Sequence, residues 1–297
     1  MAMVSVCMIT YNHQDYIVEA LEGVFKQQSD FVIELILSND CSTDQTHQKI
    51  TNFLENNKSS NIQIKYFNHT ENLGMMPNFK FALEQCKGKY IALCEGDDYW
   101  TDQYKLQKQV DFLEINKNYS ICIHPCQVLN QNNRVKFKQN FQLIDYDYSV
   151  KNLLTYWKIP TASLVIKRDK GIIFPEWFTD VASGDIALLM LYYESGKIKL
   201  LHDYMSVYRI TDTGASVSHK NYRMIHYRAK LYVLLNEFFN YKYEQDIYDA
   251  LNNIYLDFSK QKSLDNVDVN KVDINKKDSI KIKRILKKII NKLKLLV

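Results

Sequence analysis

Short apolar runs alternate with helical patterns along the first third of this chain, and this alternation restricts the folds that the chain can adopt. The apolar runs have the length of buried strands and cover residues 4–10, 31–37, 62–67 and 90–94. After the first run, apolar residues recur at the spacing of one helix face, as at Ile17, Ala20, Leu21 and Val24. Strands that alternate with helices form parallel sheets with right-handed crossovers. The sequence therefore predicts an α/β fold with a mostly parallel sheet.

Polar residues follow three of these runs, close to the points where the predicted strands end. Tyr11 and Asn12 follow the first run, and Asn39 and Asp40 follow the second. Residues 95–98, which we call the acidic corner, follow the fourth run. Ligands of parallel sheets bind outside the carboxyl ends of the strands. We therefore expect these three groups to face one crevice.

The acidic corner reads Glu95-Gly96-Asp97-Asp98. Three carboxylates at the end of a buried strand are costly to fold, because like charges repel and burial penalises each of them. A divalent cation would remove that cost, and hard oxygen ligands suit Mg²⁺ or Mn²⁺. The alternative is an acidic helix cap, in which Asp98 precedes a helix that begins near Thr101.

Glycine-rich phosphate-binding motifs are absent from the sequence. No G-x-G-x-x-G follows the first run, where residues 10–13 read Thr-Tyr-Asn-His, and no G-x-x-x-x-G-K-[ST] occurs. Such motifs bind diphosphates through backbone amides. A nucleotide diphosphate bound here would need another source of positive charge, and a metal held by Asp97 would supply it.

Four segments, taken in order, resemble the inverting glycosyltransferases of family 2, which have the GT-A fold. They are residues 4–12, 39–44, 72–74 and 95–100, and the resemblance extends over about residues 3–215. It implies a GT-A-type nucleotide-diphospho-sugar transferase fold, with a mostly parallel central sheet flanked by helices. It also implies inverting, metal-dependent transfer from a nucleotide diphosphate sugar, usually a UDP-sugar, in bacterial surface-glycan synthesis. Asn39 and Cys41 depart from the family pattern, which has aspartate and glycine at these places.

The resemblance also implies the roles of single residues. Asp97 would be the ligand of Mn²⁺ or Mg²⁺, and Asp40 would recognise the base, usually uracil. Thr10 and Tyr11 would line the base pocket, and Glu95 would lie near the ribose or the sugar. The remaining predicted substrate-binding residues are Asn12, Asn72, Asp98, Trp100 and Arg209.

A second cluster lies further along the chain, where Ser183-Gly184-Asp185-Ile186 opens a helical pattern. A carboxylate at a helix start is favoured by the helix dipole, and this is the alternative explanation of Asp185. The resemblance implies instead that Asp185 is the catalytic base. A positioned carboxylate would take the proton of the acceptor hydroxyl as that hydroxyl attacks the donor.

Arg209 lies at the end of a predicted strand that leads into a polar loop, residues 208–216. It could pair with phosphate, although an arginine at a strand end is also an ordinary ion-pairing residue. The family often carries a histidine two residues after this arginine, and Thr211 occupies that place here. Asp212 and His219 are the residues that could replace the histidine.

The C-terminal part is predicted to add two segments to a transferase domain of residues 1–218. Helical periodicity over residues 219–260 predicts a helical hairpin, and residues 261–297 predict a tether that leads into a basic amphipathic helix. Residues 276–297 contain nine Lys and Arg and one Asp. This pattern favours an anionic membrane surface over nucleic acid, since the segment has no aromatic residues. The alternative is packing on the transferase domain or on a second copy of the chain in a homo-oligomer.

Three features predict where the protein is found. The six cysteines form no C-x-x-C pair and several lie in apolar runs, as is typical of free thiols in a reducing cytosol. No basic leader follows Met1, and no apolar run reaches the ~18–20 residues of a spanning helix. We expect a cytoplasmic protein that is peripheral on the inner face of the cell membrane.

The sequence therefore favours a hexosyl- or N-acetylhexosaminyltransferase that acts on a hydroxyl of a glycan or a lipid-linked acceptor. One alternative is a sugar-nucleotide nucleotidyltransferase, which has a related sheet. It would need a glycine-rich basic loop after the first strand, and residues 10–15 offer none. The other alternative is a catalytically silent, membrane-associated protein that binds nucleotide sugars.

Overall fold

The computed structural model describes residues 2–130, 135–138, 148–155, 159–168, 173–211 and 222–261. The chain forms two compact units. The first contains residues 1–145, 158–180 and 188–217, and the second contains residues 146–157, 181–187 and 218–297. The predicted domain limits at residues 218 and 260 stay predictions.

Strands and helices alternate through the first part of the chain, as predicted. The strands are β1 Val4–Thr10, β2 Ile33–Asn39, β3 Ile62–Asn68, β4 Tyr90–Leu93, β5 Tyr99–Trp100, β6 Tyr119–Ile123, β7 Cys126–Asn130, β8 Val135–Lys138, β9 Val165–Lys167, β10 Lys197–Leu200 and β11 Ser206–Ile210. The helices are α1 Ile17–Phe25, α2 Thr46–Asn56, α3 Met75–Gln85, α4 Lys105–Ile115, α5 Val150–Thr155, α6 Gly184–Leu191, α7 Tyr222–Phe238 and α8 Glu244–Gln261. Short 3₁₀ turns cover Thr161–Ser163, Glu176–Asp180 and Tyr193–Ser195.

The first unit is built on a sheet with the strand order β10-β6-β9-β4-β1-β2-β3. Strands β4, β1, β2 and β3 are parallel to one another, and β9 is antiparallel to both of its neighbours. A smaller sheet has the order β5-β11-β7-β8, and its first strand follows the acidic corner directly. The predicted α/β fold with a mostly parallel central sheet is confirmed.

Strands β1 and β2 are buried along their whole length. Their continuous apolar sequences fit that position, because a strand buried on both faces has no side that faces water. Strand β3 lies at the end of the sheet and exposes most of its residues. The core of the unit joins side chains of the central strands to side chains of the flanking helices, including Val6, Met8, Leu35, Leu37, Ile17, Leu21, Val24, Val110 and Leu113.

Helices α2 and α3 begin in different ways. Ser42 and Thr43 precede α2, but it is the carboxylate of Asp44 that accepts the N–H of Thr46 (2.9 Å) at the start of the helix. Helix α3 begins at Met75. Pro77 is tolerated there because the N–H groups of a first helical turn have no partner inside the helix.

The second unit contains helices α5, α7 and α8. Helix α5 packs on α8, where Lys151 forms an ion pair with Asp249 (3.1 Å). The hydroxyl of Tyr232, on α7, donates a hydrogen bond to the carbonyl of Leu154. The helical C-terminal part is therefore confirmed, whereas the predicted basic helix lies outside the described residues. Within the described ranges, no helix has both the length and the apolar composition that crossing a bilayer requires.

Candidate active site

Backbone hydrogen bonds join the ends of β1 and β2 to the acidic corner. The N–H of Asp40 donates to the carbonyl of Thr10 (2.9 Å), and the N–H of Gly96 donates to the carbonyl of Ile9 (2.9 Å). Thr10 and Asn39 are also partners in the register of β1 and β2. The structure thus brings the three polar groups to one edge of the sheet, as the sequence predicts.

Asp40 is buried and fixes the turn that precedes α3. Its two carboxylate oxygens accept the N–H groups of Leu73 (2.7 Å) and Gly74 (3.0 Å), and its carbonyl accepts the side-chain amide of Asn72 (3.0 Å). Each carboxylate oxygen keeps a second lone pair for another donor. Gly74 has a φ of 91°, which favours glycine at this turn. The predicted residues Asp40 and Asn72 therefore form one local network.

Asn12 connects the turn after β1 to the turn after β2. Its N–H donates to the hydroxyl of Ser42 (2.9 Å), and its side-chain oxygen accepts the N–H of Thr43 (2.8 Å). The side-chain oxygen also accepts the hydroxyl of Thr43 (3.3 Å), so it already has two donors from Thr43. Tyr11 is exposed beside it, and its ring is open to a ligand.

The acidic corner is not a helix cap. Strand β5 follows it, and α4 begins only at Lys105. One carboxylate oxygen of Asp98 accepts the N–H of Arg209 (2.8 Å), which joins the corner to β11. The other oxygen, Oδ2, is buried and has no hydrogen-bond partner among the described residues. Burial, followed by the negative charges of Asp97 and Glu95, raises the pKa of the Asp98 carboxyl well above its ordinary value.

Arg209, for which the sequence predicts a phosphate contact, packs against the acidic corner. Its Nε donates to the backbone carbonyl of Asp97 (2.9 Å), and its Nη2 pairs with Glu19. The guanidinium carbon also lies over the rings of Tyr16 (4.8 Å) and Tyr99 (5.3 Å). These contacts hold the guanidinium against the backbone of the acidic corner.

Trp100, a predicted substrate contact, is buried. The residue is only 3% exposed, and its indole N–H donates to the carbonyl of Ala162 (2.9 Å). The ammonium of Lys105 lies 4.2 Å from the ring centre. The ring therefore packs inside the first unit with its polar atom satisfied.

His13 is a site residue that sequence reasoning missed. Its Nε2 lies 3.9 Å from Oδ2 of Asp97, and its Nδ1 is buried without a hydrogen-bond partner among the described residues. A Cβ on Gly96 would lie 3.0 Å from this Nδ1 and 2.6 Å from Oγ1 of Thr10. The glycine between two acidic residues is the one sequence signal that could have indicated a close neighbour here.

The acidic corner fits a divalent cation. Burial is the main reason that the pKa of Asp98 is raised, and the charges of Asp97 and Glu95 raise it further; a cation would relieve this repulsion. The side chain of Asp97 is partly exposed and can reach a bound ion. In the part of the chain that the structure describes, no three His, Cys, Asp or Glu side chains group as a metal site. Substrate oxygens and water would have to complete the coordination, as is usual for Mg²⁺.

Asp185 belongs to the second unit, in the first turn of α6. It is half-buried, and one of its carboxylate oxygens accepts the N–H of Ile186 (2.9 Å). Thr211, at the place of the family's loop histidine, is buried. The two residues that could replace that histidine, Asp212 and His219, lie outside the described residues.

Sequence comparison agrees with this architecture. The family model described as Glycosyl transferase family 2 matches residues 5–167, which is more than half of the chain. The uncharacterized protein Rv1520 of Mycobacterium tuberculosis is 34% identical over 207 residues, 69% of this chain and 58% of that protein. The putative teichuronic acid biosynthesis glycosyltransferase TuaG of Bacillus subtilis is 29% identical over 153 residues, 51% of this chain and 58% of TuaG. The match thus spans less than two thirds of each relative.

Structural comparison leads to the same fold. TarS of Staphylococcus aureus (residues 1–349), solved in complex with UDP-GlcNAc, superposes with a TM-score of 0.65 at 20% identity. The superposition covers 93% of this chain and 78% of that structure. At this identity the likeness establishes the GT-A-type fold alone, and the family follows from the sequence match. The chain belongs to glycosyltransferase family 2.

Proposed function

We propose that this protein is an inverting, metal-dependent glycosyltransferase that moves a sugar from a nucleotide diphosphate sugar to a hydroxyl group. The observation that carries the proposal is the acidic corner. In this family 2 chain, Asp97 lies between the carboxylates of Glu95 and Asp98, just after β4. The N–H of the adjacent Gly96 is hydrogen-bonded to the end of β1. A nucleotidyltransferase is disfavoured because the chain belongs to a different family.

The donor and the acceptor are proposed from the relatives. TarS was solved with UDP-GlcNAc, and we propose a UDP-sugar, hexosyl or N-acetylhexosaminyl, as the donor. TuaG is named for teichuronic acid biosynthesis, and we propose the hydroxyl of a glycan or lipid-linked acceptor in surface-polysaccharide synthesis. We place the base near Thr10, Tyr11 and Asp40, and the ribose or the sugar near Glu95.

Two carboxylates have separate tasks in this reaction. Asp97 would hold Mn²⁺ or Mg²⁺, which stabilises the negative charge on the leaving diphosphate. Asp185 would accept the proton of the acceptor hydroxyl, so that the oxygen can attack the anomeric carbon directly. A single displacement of this kind inverts the configuration at that carbon. Asn12, Asp98 and Arg209 would position the loops around the donor.

Thermal unfolding with UDP and Mn²⁺ tests the donor site, because a ligand that binds only the folded state raises the Tm. The wild type should show a larger Tm rise with both ligands than with UDP alone, and Asp97→Asn should lose this metal-dependent part. Asp185→Asn should keep the rise and lose at least about 10²-fold of the transfer rate. Asp30→Asn, which alters an exposed aspartate, is the matched control and should behave as wild type.

Three results would contradict the proposal. A metal-dependent Tm rise that survives in Asp97→Asn would remove the metal from this site. Wild-type turnover by Asp185→Asn would refute its role as the base. A wild-type protein that binds UDP-sugars but neither transfers the sugar nor releases UDP would be a silent binding protein.

We further propose that the C-terminal segment holds the enzyme at the inner face of the cell membrane. The support is its sequence: residues 276–297 combine nine basic residues with an apolar stripe. Such a segment suits an anionic surface, where a lipid-linked acceptor would be found.

A further inference from the structure

We propose that His13 is a second protein ligand of the cation that Asp97 holds, an inference that rests on the proposed function. The imidazole would make the site prefer Mn²⁺ over Mg²⁺. Among the described residues, His13 is the only histidine with a ring nitrogen within 4.0 Å of a carboxylate oxygen of Asp97.

The distance between the two side chains fits a shared ion. Nε2 of His13 and Oδ2 of Asp97 are 3.9 Å apart, which is too long for a hydrogen bond. Divalent cations bind nitrogen and oxygen ligands at about 2.1 Å, so two ligands of one ion lie at most about 4.2 Å apart. The observed separation is therefore within the span of two ligands of one ion. Both side chains are also partly exposed, 23% for His13 and 16% for Asp97.

The backbone around His13 holds its ring against the acidic corner. The carbonyl of His13 accepts the N–H groups of Tyr16 and Ile17 (both 2.9 Å), which fixes the residue at the start of α1. On the other side, a Cβ at Gly96 would come within 3.0 Å of Nδ1. A side chain at position 96 would clash with Thr10 (2.6 Å to Oγ1) and crowd the His13 ring, so the glycine allows the close approach.

Three buried polar atoms around the corner have no hydrogen-bond partner among the described residues. They are Nδ1 of His13, Oγ1 of Thr10 and Oδ2 of Asp98, and Thr10 and Asp98 are only 2% and 1% exposed. Buried polar atoms are rarely left unpaired, so such a group indicates a ligand. Oγ1 of Thr10 borders the same position beside Gly96 as Nδ1 of His13. Two of the three unpaired atoms therefore lie on the Gly96 side of the His13 ring, and the third belongs to the acidic corner itself.

The ligand chemistry predicts the metal preference. Mg²⁺ requires oxygen ligands in a near-ideal octahedron, whereas imidazole is a good ligand for transition metals. A site with one carboxylate and one imidazole should therefore favour Mn²⁺, and Co²⁺ still more strongly. A histidine that only paired with Asp97 as a cation would have the opposite effect, since it would compete with the metal for the same carboxylate.

Electron paramagnetic resonance of Mn²⁺ in the presence of UDP tests the inference without measuring activity. In the wild type, bound Mn²⁺ should show a nitrogen coupling from imidazole, and His13→Ala should lose that coupling. The variant should bind Mn²⁺ about 10-fold more weakly or worse, while its affinity for Mg²⁺, measured by competition, changes less than about 2-fold. His202→Ala, which removes an exposed histidine, is the matched control and should leave both affinities unchanged.

A second variant, His13→Gln, keeps a polar side chain and should show the same loss of the nitrogen coupling at an unchanged unfolding midpoint.

Asp97→Asn in the same titration tests the proposed function separately. If Asp97→Asn keeps Mn²⁺, the metal site itself is wrong. If Asp97→Asn loses Mn²⁺ but His13→Ala binds it as tightly as wild type, or more tightly, only the role of His13 is overturned. Equal weakening of UDP binding with Mn²⁺, with Mg²⁺ and without metal would make His13 a nucleotide contact and would also overturn it.

Discussion

The guanidinium of Arg209 supports the acidic corner through its geometry as well as its charge. Its planar group donates to the carbonyl of Asp97, pairs with Glu19 and lies over the ring of Tyr16. A lysine has the same charge, but it lacks the fixed fork and the planar face that these contacts use. The identity of the arginine could be read from the sequence, whereas its partners lie on distant segments and could not.

We predict that Arg209→Lys lowers the free energy of unfolding by about 1–3 kcal/mol in the absence of any ligand. The reason is that the ammonium group cannot reach the carbonyl of Asp97 and Glu19 together, which leaves buried polar groups unpaired. Urea unfolding at pH 7 measures the change. Arg168→Lys is the comparison variant. Arg168 also donates to two backbone carbonyls, but these belong to Lys87 and Gly88.

A direct phosphate contact would give a different pattern for Arg209→Lys. The charge would be retained at the site, unfolding without ligand would match the wild type, and only the affinity for UDP would fall. That result would return Arg209 to the substrate-binding role that the sequence predicts.

At the scale of the elements, the sequence determines the strands better than it determines the helix starts. Strand β1 matches its predicted range of residues 4–10, because a buried strand requires an unbroken apolar run. The start of α2 cannot be read from the sequence in the same way, because several residues of the preceding turn are good helix caps. Ser42 instead accepts the N–H of Asn12, a contact between distant segments that no local pattern reveals.

One buried carboxylate joins the starting ends of the central strands. Glu34, on β2, accepts hydrogen bonds from the hydroxyl of Ser5 (2.5 Å), the ammonium of Lys65 (2.6 Å) and the N–H of Lys87 (3.0 Å). Burial alone would raise the pKa of this carboxyl, but these three donors outweigh burial and lower it. The charged form therefore stabilises the contact between β1, β2 and β3.

We predict that Glu34→Gln lowers the free energy of unfolding by about 1–3 kcal/mol at pH 7, because an amide nitrogen would face these donors. The folded-state pKa of Glu34 is lower than its unfolded value, so its charge stabilises the fold above the unfolded pKa of about 4.3. That contribution is lost as the pH falls through the folded pKa. The difference between wild type and variant should therefore narrow below about pH 4.3, as measured by urea unfolding between pH 7 and pH 3.5.

Glu55→Gln, which alters an exposed glutamate, is the control and should show no such difference. A difference between wild type and Glu34→Gln that stays constant with pH would assign the loss to packing, and the role of the charge would be wrong.

At the scale of the whole molecule, the sheet topology determined which parts of the site could be predicted. The order of strands and helices was sufficient to place Asp40 and the acidic corner at the end of β1, because the ends of parallel strands meet at one edge. His13 was missed because its contact depends on the path of the backbone at Gly96, which the spacing of residues does not encode. The burial of Trp100 could not be read from the sequence, because an aromatic residue beside a site can face either the ligand or the core.

The charge of the chain is also divided unevenly over the whole molecule. Residues 276–297 carry nine basic residues and one acidic residue, while the formal net charge of the chain is +4. The rest of the chain is therefore negative and would be repelled by anionic lipid. A basic residue near an anionic surface contributes about 1 kcal/mol, and salt weakens that attraction. Membrane binding should therefore depend on this segment alone.

We predict that the full chain sediments with vesicles of phosphatidylcholine and phosphatidylglycerol at low salt, and much less with phosphatidylcholine alone. A variant that ends after residue 275 should stay in the supernatant, and its Tm rise with UDP and Mn²⁺ should match that of the full chain, because the proposed donor site lies within residues 10–209. A second variant with Lys287, Lys288 and Lys292 changed to Gln keeps the apolar stripe and should bind these vesicles more weakly, since electrostatic attraction adds to apolar burial. If the shortened chain still sediments, the membrane contact lies elsewhere on the protein. If it loses the UDP response as well, the segment packs on the enzyme or on a second copy instead.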